Sequence, residues 1–104
     1  MEHQVLDRET LEKQAGIFKL LSHPSRLCIM VNLLVVKESN VSNMQNCLCE
    51  PQSTVSQHLS KLKAAGLIKG TRSGTEIVYK VSDDTVKCML IDMLKLLGKG
   101  DIIK

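Results

Sequence analysis

Aromatic side chains are nearly missing from this sequence of 104 residues: there is no tryptophan, one tyrosine (Tyr79) and one phenylalanine (Phe18). A core must then be assembled from Leu, Ile, Val and Met, as in small helical domains, and a platform of rings for stacking single-stranded nucleic acid is excluded. No uninterrupted apolar run approaches the ~18 residues that a membrane span needs. A secretory signal is also lacking, so the four cysteines (Cys28, Cys47, Cys49 and Cys88) do not suit the disulfide scaffold of a small exported protein. The expectation is a soluble, reduced, cytoplasmic chain without membrane contact. Patterns of catalysis are missing too: there is no nucleophile–base constellation, no glycine-rich phosphate loop and no paired carboxylates in a cleft pattern. Neither an enzyme nor a cofactor is expected.

What is present is enough to fold. Hydrophobic residues make up 43% of the chain, sufficient for a core and too many for disorder. The length suits one compact domain and is too short for two, so residues 1–104 are read as a single unit. The net charge is +3, from 14 lysines and arginines against 11 acids. So mild an excess says little about partners by itself.

Past the first few residues, which are polar and read as frayed, Leu6, Leu11, Ala15, Phe18, Leu20 and Leu21 recur near the helical period. This helix should stop at Ser22-His23-Pro24, because the residue before a proline avoids the α region. Pro24 then suits the first turn of a second helix, where its missing N–H costs nothing. That helix carries Leu27, Ile29, Met30, Leu33 and Leu34, too apolar all round for the surface, which places it at the centre. Lys37 to Asn40 is a polar break, with Asn40 or Ser42 able to cap the next helix. This third helix is short and turns Val41, Met44 and Leu48 inward. Glu50-Pro51 ends it and opens a fourth.

In the fourth helix Val55, Leu59 and Leu62 form one buried stripe. At about 100° per residue, Ser53, Gln57, Ser60 and Lys61 fall on the opposite face, flanked by Thr54 and Ser56. Every side chain there can hydrogen-bond and none is acidic. His58 lies beside the stripe and reads as half-buried support. Gly66 marks the helix end, and the period then changes to two. Leu67 to Lys69 and Ile77 to Val81 read as strands joined through Arg72-Ser73-Gly74, a hairpin with a glycine turn. Ser82-Asp83-Asp84 caps a last helix with the stripe Val86, Leu90, Met93 and Leu97. The chain is thus mainly α with a β-hairpin, α+β in class, and its order is that of a winged helix-turn-helix.

Four stretches of sequence match a known family in order and spacing, over nearly the whole chain. Residues 21–27, Leu-Ser-His-Pro-Ser-Arg-Leu, resemble the opening of the second helix in ArsR/SmtB regulators. Residues 52–62, from Gln52 to Leu62, resemble that family's recognition helix. Ala65-Gly66-Leu67-Ile68 and the run from Gly74 to Tyr79 resemble its strand entry and its wing. Asn40 to Leu59 is most similar to the subgroup lacking the metal sites. The resemblance implies a dimeric repressor that binds operator DNA, double-stranded and inverted-repeat in form.

The chemistry of the residues agrees. The major groove of DNA admits one α-helix, and its base edges offer donors and acceptors within reach of Ser, Thr and Gln. Gln57 can address an adenine through two hydrogen bonds, while Ser53, Thr54, Ser56 and Ser60 can serve either kind of edge. Gln52, near the helix start, can set backbone N–H groups against a phosphate. Lys61, Lys63, Lys69 and Arg72 supply attraction to the phosphates that is blind to sequence.

Metal-sensing members of the family carry recognisable ligands, and this sequence can be checked against them. A Cys-x-Cys pair at the start of the third helix falls here on Asn40 and Ser42, poor ligands for a thiophilic metal. On the last helix, Asp83 matches a first ligand, but the next falls on Thr85 and the later pair near Leu96 and Lys99. A lone carboxylate does not hold zinc, which wants four ligands, so no metal site is expected. Cys47-Leu48-Cys49 sits at the other end of the third helix. On a regular helix its two sulfurs point about 200° apart, so chelation requires the helix to end there. Cys47 reads as a small core residue beside Met44, and Cys49 as exposed. Persulfide-sensing relatives use one cysteine in the second helix and another late in the last. Cys28 and Cys88 lie on comparable helices but are displaced from those positions. All four cysteines are therefore candidates for a redox or thiophilic-metal response, with packing as the competing reading.

Two functional classes stay open at this point: a DNA-binding repressor, and a winged-helix module that binds protein without DNA. A homodimer is expected in the first case. The apolar stripes Leu11 and Phe18, and Val86, Leu90, Met93 and Leu97, exceed what a chain this small can cover alone.

Overall fold

A computed structural model describes residues 6–103 of the chain; the opening residues read above as frayed lie outside that range. Helix α1 (Arg8–Leu21) begins at Asp7, whose carboxylate accepts the Thr10 N–H at 2.7 Å. Thr10, through its side chain first and its N–H second, holds the Asp7 carboxyl below its ordinary value. The helix ends one residue before Ser22, whose hydroxyl donates back to the Lys19 carbonyl at 2.7 Å. A bend of 95° leads into α2 (Pro24–Val36). His23 precedes Pro24 and caps α2, its Nδ1 accepting the Ser25 N–H at 3.2 Å. Ile29, Met30, Leu33 and Leu34 of α2 are all buried, so the most apolar helix forms the floor of the core.

Helix α3 (Val41–Leu48) is capped by Asn40, which accepts the Asn43 N–H at 2.8 Å. Of the two candidate caps Asn40 serves, and Ser42 falls inside the helix. Helix α4 (Gln52–Ala64) comes after Pro51, and its inner stripe is dry: Val55, Leu59 and Leu62 keep 0, 2 and 0% of their surface exposed. Its end needs a residue tolerant of left-handed backbone. Gly66, at φ 79°, lets its own N–H reach the Lys63 carbonyl and the Leu67 N–H reach that of Leu62.

Strands β1 (Ile68–Ser73) and β2 (Glu76–Val81) pair antiparallel, with Ile68 opposite Val81 and Ser73 opposite Glu76. The turn is therefore Gly74-Thr75, and Arg72 and Ser73 belong to the strand. This corrects the Arg72-Ser73-Gly74 connection expected from sequence. A two-residue hairpin loop needs a positive φ, which Gly74 supplies at 65°. A further backbone pair has no counterpart in the sequence reading: Ser39 and Tyr79 exchange hydrogen bonds at 3.0 and 2.8 Å, so the α2–α3 connection borders the hairpin.

Helix α5 (Asp84–Leu96) starts on Asp83, which accepts the Val86 N–H at 2.9 Å. Its buried stripe is Val86, Leu90 and Leu94. Met93 is only half-buried and Leu97 is 64% exposed, contrary to the expected stripe. The reason is phase: spacing by four from Val86 keeps the inward direction to Leu94, whereas Leu97 caps the helix beyond its last turn. A 3-10 turn, Gly100–Ile102, then returns Ile103 to the core. Among the described residues no single helix is long and apolar enough to cross a membrane.

Candidate nucleic-acid interface

Helix α3 packs against α4, and α4 turns away from the core the face that carries its hydrogen-bonding side chains. Gln52, Ser53, Gln57, Ser60 and Lys61 are exposed, and Thr54 and Ser56 are half-buried at the flanks. Among the described residues, the side chains of Gln52, Ser53, Thr54, Ser56, Gln57 and Ser60 make no hydrogen bond within the chain. The face is a row of unspent donors and acceptors on a rigid element.

His58 points the other way. It is buried, 8% exposed, with its ring 4.6 Å from that of His23 and tilted by 58°. Its Nε2 finds no hydrogen-bond partner and stands 3.9 Å from a carboxylate oxygen of Glu50. Burial is the main cause pushing its pKa below the ordinary 6.5; the field of His23 adds to this and Glu50 opposes it. The buried ring therefore wedges α4 against the start of α2. Half-buried support understates this role, because a position beside the stripe gives no sign of a second ring from the cap of α2.

The hairpin contributes Lys69 and Arg72, both exposed. They lie three positions apart on β1, hence on opposite faces. Lys69 sits directly across from Lys80, and Arg72 across from Ile77 near the tip. The structure thus separates two lysine- and arginine-borne charges that the sequence alone groups together. Nothing in the sequence pattern singles out Gly70, yet a Cβ there would stand 2.7 Å from Ile77 Cγ2 and 3.0 Å from Tyr79 Cε1. Its bare backbone lets these side chains lie across β1. Tyr79 in turn helps line a cavity of about 320 Å³ with Asn40, Ser42, Gln52 and Glu76, between the wing and the starts of α3 and α4. Across it Asn40 Nδ2 donates to Glu76 at 2.9 Å.

The residues at the family's metal positions are otherwise engaged. Asn40 spends its oxygen on the α3 cap and its amide on Glu76. Asp83 spends an oxygen on the α5 cap. This donor set does not fit a metal. The four cysteines are free and exposed. Exposure corrects the reading of Cys47 as a core residue; Met44 fills that place, at 1% exposed. Cys49 ends α3 in the left-handed region, φ 55°, and its thiol donates to the Asn46 carbonyl at 3.7 Å.

Far from this face lies a second exposed surface, of opposite character. Phe18, Leu21, Leu27, Met89, Leu90 and Met93 line a hollow of about 300 Å³ between α1, α2 and α5. Phe18 of this lining is 54% exposed, and Leu11 of α1 and Leu96 and Leu97 at the end of α5 are 48, 88 and 64% exposed. Val86 and Leu90, expected to belong to the uncovered stripe, are in fact buried within the chain at 1 and 2%.

A helix-turn-helix with a polar, acid-free outer face, flanked by a β-hairpin, is the winged helix-turn-helix class. Comparison with known proteins gives the family. The model of the bacterial regulatory proteins of the arsR family matches residues 23–69, from the α2 cap into β1. The chain is 35% identical over 97 residues to the transcriptional repressor SmtB of Mycobacterium tuberculosis, covering 91% of this chain and 70% of that protein. The transcriptional repressor PagR of Bacillus anthracis is 37% identical over 87 residues, covering 84 and 86% of the two chains. The PagR crystal structure superposes with a TM-score of 0.74 at 36% identity, over 84% of this chain and 99% of that one. A homodimeric winged helix-turn-helix DNA-binding domain from Mycobacterium bovis, described as a possible ArsR-family regulator, has a TM-score of 0.74 at 26% identity, covering 98 and 94%. This chain belongs to the ArsR family of bacterial transcriptional regulators.

Proposed function

We propose that the protein is a homodimeric transcriptional repressor that reads double-stranded operator DNA with α4 in the major groove and the hairpin on the flanking backbone. The observation that carries this is the division of α4: an inner stripe with no more than 2% exposure, and an outer row whose polar groups have no partner in the chain. In this reading Gln57, Ser53, Thr54, Ser56 and Ser60 meet base edges. Gln52 and Lys61 meet phosphates beside the groove, and Arg72 and Lys69 meet them at the wing. The apolar hollow between α1, α2 and α5 is covered by a second copy. Two recognition helices then lie about 34 Å apart and read an inverted repeat. The relatives are named as transcriptional repressors and regulators, and in this reading the chain acts in the cytoplasm by binding alone, without catalysis.

An electrophoretic shift on DNA from its own promoter, at two salt concentrations, tests the reading. Binding to one sequence that weakens steeply with salt is expected, because each phosphate contact releases a counterion. A chain that shifts no DNA at low salt is instead a protein-binding module.

A further inference from the structure

On the side of α5 away from the apolar hollow lies another pocket, of about 210 Å³, whose lining mixes two kinds of side chain. Leu33 and Leu34 from the end of α2, Ile91 of α5 and Ile103 give it an aliphatic floor. Lys37, Lys80 and Lys87 line the same space, all three exposed, and no acidic side chain joins them. Helix phase separates the pocket from the hollow. Lys87 and Ile91 share one row of α5 and Met89 and Met93 another, and the rows differ by two positions, about 200°. A copy that covers the hollow therefore meets the other side of the helix.

Two further features mark a place for negative charge. Lys80 stands directly across the hairpin from Lys69, so two like charges share one face of the sheet, an arrangement that costs stability until an anion lies near. Among the described residues, neither Lys80 nor Lys87 makes an ion pair or a side-chain hydrogen bond. Lys37, at the end of α2, holds φ 77° and ψ −44°. Residues with a side chain rarely adopt this backbone, and such strained positions concentrate at ligand sites.

We propose that this pocket binds an aliphatic carboxylate of medium chain length, its tail on the leucine and isoleucine floor and its head among the lysines. Apolar walls with a few convergent polar groups are the usual form of a small-molecule site. A bare inorganic anion leaves the floor in water, and a neutral lipid leaves the ammonium groups unanswered. Neither Phe18 nor Tyr79 lines the pocket, so a nucleobase finds no ring to stack on. Size sets the chain length: a cavity of about 150 Å³ holds benzene, and at the same packing 210 Å³ takes roughly eight carbons. Binding is non-covalent, with the carboxylate and the lysines ionised as they are at neutral pH. The site joins the base of the wing to α5, and it stands or falls independently of whether α4 reads DNA.

The test is isothermal titration calorimetry of the full-length protein with sodium octanoate, against acetate as a head without a tail and octanol as a tail without a head. One octanoate per protomer should bind saturably, at least ~10-fold more tightly than either comparator, because each of these lacks one of the two interactions. Lys80→Gln and Lys87→Gln should each weaken octanoate roughly 10-fold, through loss of a charge-assisted contact. Both positions are exposed, and unchanged circular dichroism would establish that each variant folds. Lys95→Gln, on α5 but outside the pocket, and Phe18→Glu, at the hollow, should leave octanoate binding unchanged. The proposal is overturned if no saturable binding occurs, if octanol binds as tightly as octanoate, or if either Lys80→Gln or Lys87→Gln binds octanoate like the parent. Loss of binding in Phe18→Glu would place the ligand in the hollow and overturn it too. A protein that ignores octanoate while Lys80→Gln and Lys87→Gln lose DNA affinity would assign these lysines to phosphates instead.

Discussion

On α4, Ser53, Gln57, Ser60 and Lys61 stand in water; around α1 and α5, Phe18, Leu96 and Leu97 do so as well, with 54, 88 and 64% of their surface exposed. The two faces are equally open and chemically opposed. Water satisfies hydroxyls and amides, so the α4 face can remain uncovered until a partner arrives. Apolar surface left in water forgoes about 25 cal/mol for each Å², so the α1–α5 face favours a standing cover. The contrast orders the two associations: a lasting one with a second copy, and a reversible one with DNA.

Substitutions can break this contrast, and the largest effect should come from beneath the polar face. Leu59→Ala empties a site that is 2% exposed and should cost about 2–5 kcal/mol of stability in urea denaturation at fixed protein concentration. Phe18→Glu sets a charge beside the apolar hollow without disturbing α4. It should weaken dimerisation roughly 100-fold, about 2.7 kcal/mol, by analytical ultracentrifugation. A dimer of parental strength in this variant would mean that the second copy sits elsewhere. Gln57→Ala should leave folding and dimerisation intact, lower specific DNA affinity by about 1–3 kcal/mol and relax preference at one base position per half-site. Arg72→Ala should lower affinity about equally on all sequences and reduce the salt slope by about 1. If both changes alter sequence preference alike, the division of labour between helix and wing is wrong.

The smallest effect concerns His58, whose proton affinity is depressed in the fold. The unfolded chain takes up this proton before the folded one does. Stability is therefore full above pH 6.5 and is lost as the pH falls below it. His58→Gln should flatten that part of the stability profile. A profile identical to the parent's would show that the ring's surroundings are less dry than the structure indicates.

The helices are legible in the sequence because their signals are local. Asn40, Pro24 and Asp83 mark starts by chemistry that acts within three residues. The stripe of Val55, Leu59 and Leu62 comes from helix geometry alone. What escapes depends on contacts between distant residues or on a small error of phase. The Ser39–Tyr79 pair is a single backbone exchange with no periodic signature. The turn moves from Arg72-Ser73-Gly74 to Gly74-Thr75 because a glycine fixes where φ is positive, not how far the strands zip toward it. Cys47 looks internal when the third helix is judged by Val41, Met44 and Leu48 alone. Cys28, which lines one crevice with it, comes from another helix. The α4 residues proposed to face DNA are readable as a chemical row, but the opposite faces of Lys69 and Arg72 require the strand register.

The Ser39–Tyr79 pair also sets how the wing should breathe. Its two hydrogen bonds, at 3.0 and 2.8 Å, anchor the middle of β2 to the connection that launches α3, while toward the tip at Gly74-Thr75 the link to α3 is one side-chain hydrogen bond, from Asn40 to Glu76. Opening of the hairpin is thus graded along its length. In native-state hydrogen exchange the Ser39 and Tyr79 amides should exchange with the slow core, while those at the tip exchange by local fraying. A wing hinged in this way can track the contour of a backbone at its end without loosening the helix pair at its base.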